Sequence, residues 1–90
     1  MRRHPDDIRE RLRGILAQIV ERADTLDAES PEYHAVERDR RDIANLYHRV
    51  EAWTRRLEDR AIRAAHDLDG RFQGGRYFIQ ILDAIGAPQP

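Results

Sequence analysis

From Pro31 to Asp69 the chain runs for 39 residues without a glycine or an internal proline, and Val36, Ile43, Val50, Leu57 and Ala64 recur within it at seven-residue intervals. A stretch free of both strong helix breakers, with an apolar residue every two turns, predicts one continuous helix carrying a contact seam. At 1.5 Å per residue this helix would be roughly 58 Å long, whereas a compact globule of this chain length spans only about 30 Å. The helix would overrun its own domain, and its overhanging seam would need a cover from another chain.

The flanking sequence supplies two shorter helices. Pro5-Asp6-Asp7 places a proline in a first turn and two acids at the positive end of a helix dipole, and Ile8, Leu12, Ile15, Ile19, Ala23 and Leu26 follow at three- and four-residue spacing. Gly14 lies on the polar side of this helix, where it costs about 1 kcal/mol against alanine or admits a close neighbour. Ser30-Pro31-Glu32 caps and starts the second helix. On that helix Tyr33, Leu46, Tyr47, Trp53, Ala61 and Leu68 join the seam in an apolar arc of about 180°, wide enough to touch two neighbours. Gly70 reads as its left-handed terminator, Gly74-Gly75 as a loop, and Tyr77, Phe78, Ile81, Leu82 and Ile85 as a third apolar stripe that closes at Gly86 before Pro88. A Gly-Gly hairpin through residues 71–81 is the competing reading of that end.

The fold class is thus all-α: one domain over residues 1–90, with helices at about 5–28, 31–69 and 76–85. It is an elongated three-helix protein built on a helical hairpin with a long (~39-residue) central helix. A chain this short buries only about 60 to 65% of its extended surface, so a dimeric helical bundle, with the central helices of two copies antiparallel, is the expected assembly.

Composition narrows the function classes. Charged residues make up 37% of the chain and hydrophobic ones 40%, and cysteine is absent, which removes disulfides and thiolate metal sites and favours a reducing cytoplasm. No apolar run is long enough for a membrane span or a signal-peptide core, so a cytoplasmic protein with no membrane partner is expected. All 16 basic residues are arginines, the mark of a GC-rich genome. They nearly balance 17 acids, for a net charge of -1, and no global field draws the chain to nucleic acid.

Three patterns bear on chemistry. Tyr33-His34-x-Val36-Glu37-x-x-x-Arg41 recurs as Tyr47-His48-x-Val50-Glu51-x-x-x-Arg55, and each copy offers a Glu–Arg pair four residues apart. His34, His48 and His66 share one azimuth of the long helix but would stand about 21 and 27 Å apart, too far for a common metal, and no Glu-x-x-His pair is present. Arg38, Arg49, Arg56, Arg60 and Arg63 form a ridge on the back of the same helix, interrupted by Asp42 and Asp67. That ridge is either a solvated face or a docking strip for phosphates or an acidic protein.

The spans Arg41 to His48 and Arg60 to His66 fit an Arg-x(4 to 6)-His pattern. In these residues the chain resembles the HEPN ribonucleases, all-helical proteins in which an Arg and His pair cleaves RNA. The resemblance implies catalytic roles for Arg41, His48, Arg60 and His66, with a dimer uniting His48 or His66 of both subunits. The residues taken together point first to a small non-catalytic protein–protein interaction or assembly module. It would be a regulatory subunit, adaptor or inhibitor of bacterial or phage type that acts by helix docking, without cofactor or metal, as a homodimer or on a protein partner. Leu46, Tyr47, Val50, Trp53 and Leu57 are its expected hydrophobic contacts, Arg40 within the seam its register residue, and the arginine ridge its selector. The alternatives are a HEPN-like ribonuclease and a nucleic-acid-binding helical dimer.

Overall fold

The computed structural model describes residues 3–90. It is all-helical, with four helices: α1 (Pro5–Ala23), α2 (Pro31–His48), α3 (Arg55–Arg71) and α4 (Tyr77–Ile85). The 39-residue central helix does not form; its span is divided between α2 and α3.

The starts follow local chemistry. His4 Nδ1 accepts from the Asp6 N–H at 3.2 Å ahead of Pro5, and Ser30 Oγ accepts from the Tyr33 N–H at 3.0 Å ahead of Pro31. Helix α1 ends at Ala23, earlier than the expected 28, because the chain turns through Asp24 and Thr25, whose N–H groups bond back to Val20 and Arg22.

The break between α2 and α3 contains neither glycine nor proline. Arg49 leaves the helical region at φ -123°, the Ala52 N–H closes a turn on the Arg49 carbonyl at 3.0 Å, and Thr54 Oγ1 then caps α3 by accepting from the Leu57 N–H at 3.3 Å. Val50, Trp53 and Thr54 are all weak helix formers, so little propensity opposes the turn. Breaking the helix forfeits a few backbone bonds worth about 1 kcal/mol each net, and the threonine cap returns about 1 kcal/mol. In exchange α3 folds back onto α2. Leu68, Ala61 and Ala65 become fully buried, as do Val36, Ile43 and Leu46 opposite, at about 1.5 to 3 kcal/mol for each large side chain. Burial outweighs helix continuity.

Each helix packs on two neighbours in the order α1, α2, α3, α4 and back to α1, and the diagonal pairs stay apart. The shared core holds Leu12, Ile19, Ile43, Leu68, Tyr77 and Ile81, all out of contact with water. The Cα radius of gyration is 12.5 Å and the longest extent 39 Å, against about 12 Å expected for a compact chain of this length. No overhang exists. The antiparallel dimer of central helices expected from the seam therefore loses its physical reason, since the seam is already occupied by the chain's own side chains. Among the described residues Val20, at 44%, is the single exposed large hydrophobic.

At the other end Gly70 lies inside α3, not at its terminus, and the left-handed positions are Gly74 (φ 81°) and Arg76 (φ 53°). Helix, not hairpin, follows from Tyr77, and Gly86 (φ 75°) ends it as anticipated. No described helix is long and apolar enough to cross a membrane.

Candidate functional site

Thr54 sets the geometry of the most distinctive surface. With the helix starting there, Arg55 and Arg56 occupy the first turn of α3, and Arg60 and Arg63 follow on the same side, opposite the buried Ala61, Ala64, Ala65 and Leu68. All four guanidinium groups are exposed and, with Asp59 among them, line an open groove. Among the described residues no ion pair or hydrogen bond engages any of the four, although Asp59 stands four residues from both Arg55 and Arg63. Four cations against Asp59 and Glu58 leave a local charge of +2 within about 12 Å of helix.

Several arginines elsewhere are engaged, although Arg38, Arg41, Arg49 and Arg76 are exposed and, among the described residues, as free of ion pairs as these. On α1, Arg9 pairs with Asp6 at 3.0 Å, and Arg11 pairs with Asp7 at 3.2 Å and Asp83 at 2.8 Å. Arg3 reaches Asp83 at 3.2 Å, and on α2 Arg40 Nε donates to Glu37 at 2.5 Å. Arg55 and Arg56 are also set against the dipole: they stand at the positive end of α3, an arrangement unfavourable by about 0.3 to 1 kcal/mol per charge. Local stability alone would place acids there.

The expected ridge is thus divided and extended. Arg38 lies on α2, Arg49 at its C-cap, and Arg56, Arg60 and Arg63 on α3. Arg55, absent from the sequence-based ridge, belongs to it; the signal was Thr54, a capping residue directly before an Arg-Arg pair.

The expected hydrophobic contacts fare unevenly. Leu46 is fully buried and Val50 is 8% exposed, so both belong to the chain's own core and offer nothing to a partner. Tyr47 is half-buried, its hydroxyl accepting from Arg13 at 3.1 Å. Trp53 and Leu57 are half-buried beside the start of α3, and Trp53 lines a cleft with Arg3, Ile8 and Glu51. Arg40, expected within the seam, makes a short intrahelical pair at the edge of α2. The internal echo is not repeated in structure: Glu37 pairs with Arg40, not Arg41, and Glu51 approaches Arg9 at 3.6 Å, not Arg55.

The Arg–His pairs of the HEPN resemblance are not joined. Among the described residues no hydrogen bond joins Arg41 or Arg60 to a histidine, His48 meets the edge of Tyr47, and His66 stacks on Phe78 at 4.0 Å. Among the described residues no group of three or more His, Asp or Glu side chains is placed to hold a metal ion.

Two buried polar groups lie outside the arginine face. Asp39, 3% exposed between α2 and α3, has Oδ2 without a hydrogen bond and Arg71 Nε at 4.0 Å. Burial, reinforced by Asp67, pushes its carboxyl up to about 6. The Tyr77 hydroxyl is buried and unbonded, and burial raises its pKa, opposed by Arg22 over the ring. Both groups are closed to a ligand. Comparison with protein-family models, with curated proteins and with solved structures finds no match to this chain.

Proposed function

We propose that the chain is a small non-catalytic docking module that binds an acidic surface of a protein partner through the arginine face of α3. The observation that carries this reading is the cluster Arg55, Arg56, Arg60 and Arg63, four exposed guanidinium groups on one face of α3, without an ion pair among the described residues and partly misplaced against the dipole, whereas Arg9 and Arg11 of α1 are paired with carboxylates. Guanidinium groups suit carboxylate recognition because each presents a planar fork of donors. Trp53 and Leu57, half-buried at the margin, supply the apolar part of the contact.

An acidic protein fits better than a nucleic acid. The patch covers about 12 Å, too short to track a polyphosphate backbone. The net charge of -1 supplies no long-range field that would draw in a nucleic acid, so binding is left to the local patch. Fluorescence anisotropy with a labelled 20-residue polyglutamate and a single-stranded oligonucleotide of equal charge tests the proposal. Polyglutamate should bind at low salt, and Arg56→Glu with Arg60→Glu should weaken it at least tenfold. Preference for the oligonucleotide, or binding indifferent to both substitutions, would overturn the reading.

A further inference from the structure

The arginine face has a complement on its own chain, at the opposite end of α2. Glu21, Asp24, Asp27, Glu29 and Glu32 cluster around the connection between α1 and α2, all exposed and, among the described residues, none in an ion pair. The single cation among them, Arg22, is occupied: it donates to the Gln73 carbonyl at 3.3 Å and covers the Phe72 ring. Glu21 and Asp24 stand at the negative end of α1, as wrongly placed for that helix as Arg55 and Arg56 are for α3.

The two patches cannot meet within one molecule. The 18 residues of α2 set about 27 Å of helix between the acidic turn and the start of α3 at Arg55 and Arg56, while Arg60 and Arg63 stand about 8 and 12 Å back along α3. The chain is therefore bipolar, with +2 over the first half of α3 and five carboxylates around the α1–α2 turn, while a net charge of -1 raises little general repulsion between copies.

We propose that the partner of the arginine face is a second copy of this chain, whose α1–α2 turn enters the groove between Arg55, Arg56, Arg60 and Arg63. This rests on the docking function proposed above and names its occupant. The acidic turn is held by the Asp27 side chain accepting from the Glu29 N–H at 3.0 Å, and the arginine side chains stand with open space between them on one exposed face of α3. The contact is heterologous, using different surfaces on the two copies, so it propagates head to tail unless a ring closes.

Charge reversal tests this without disturbing the fold, since Arg56→Glu favours the dipole of α3 and Asp24→Arg that of α1. Wild-type protein, the Arg56→Glu/Arg60→Glu variant, the Asp24→Arg/Glu29→Arg variant and their equimolar mixture are compared by light scattering across concentration at 20 and 500 mM salt. Wild type should gain mass with concentration at 20 mM salt and fall to 10.6 kDa at 500 mM. Each variant alone should associate at least tenfold more weakly, because Arg56→Glu/Arg60→Glu reverses the sign of the arginine patch and Asp24→Arg/Glu29→Arg cuts the acidic patch from -5 to -1, and the mixture should recover association. Wild type at 10.6 kDa throughout, or a mixture no better than its components, would overturn the proposal. Polyglutamate binding by such a monomeric wild type would leave the docking function standing and remove only self-association; loss of both would remove both.

Discussion

Asp39 carries the sharpest electrostatic consequence of a single residue. Its carboxyl sits between α2 and α3, raised to about 6 by burial and by Asp67, with Arg71 too distant at 4.0 Å to compensate. A folded pKa above the unfolded value means that the folded state binds the proton more tightly. The stabilisation is complete below about pH 4 and is lost as pH rises through 6, by on the order of 2 to 3 kcal/mol. Asp39→Asn should therefore be more stable than wild type at pH 7, with an advantage that shrinks steadily towards pH 4. Urea midpoints at pH 4, 5, 6 and 7 measure it; a pH-independent difference would show that Asp39 is not the titrating group. The burial itself was hidden in the sequence, where Asp39 is one of many acids on a charged helix.

At the scale of the element, helix ends decide the architecture. Thr54 and Asp69 each do so from a position that periodicity does not mark. Thr54 caps α3, and Thr54→Ala should lower the melting temperature by roughly 5 °C, corresponding to about 1 kcal/mol. A continuous helix through residue 54 would respond with the opposite sign, since alanine is the better helix former, so a melting temperature that rises would contradict the break. Asp69 caps α4 from a neighbouring helix: its two carboxylate oxygens accept from the Tyr77 and Phe78 N–H groups at 2.5 and 3.1 Å. That bond offsets the left-handed backbone of Arg76, which has no capping side chain of its own for α4. A cap eight residues upstream is created only when the chain turns back, so no local pattern reveals it.

At the scale of the molecule, the ring of four helices makes the chain compact and keeps its two charged patches apart. Small-angle scattering at 500 mM salt should give a radius within about 2 Å of 12.5 Å, whereas a particle built on a helix of roughly 58 Å would give a markedly larger one. The all-helical class, the starts at Pro5 and Pro31, the end at Gly86 and most core positions were legible in the sequence. Each follows from local stereochemistry or from apolar spacing, which operates over one or two turns. The seven-residue series was real but ambiguous: Val36, Ile43 and Ala64 are buried, yet on two helices facing one core, and spacing records which face is apolar, not whether the axis is straight. The candidate site was half legible, as a ridge containing Arg56, Arg60 and Arg63 but lacking Arg55. Only tertiary packing decided the break at residues 49–54, because the energy gained by folding α3 back onto α2 comes from contacts between residues distant in sequence. That same fold set the arginines of the first half of α3 apart from the acids of the α1–α2 turn.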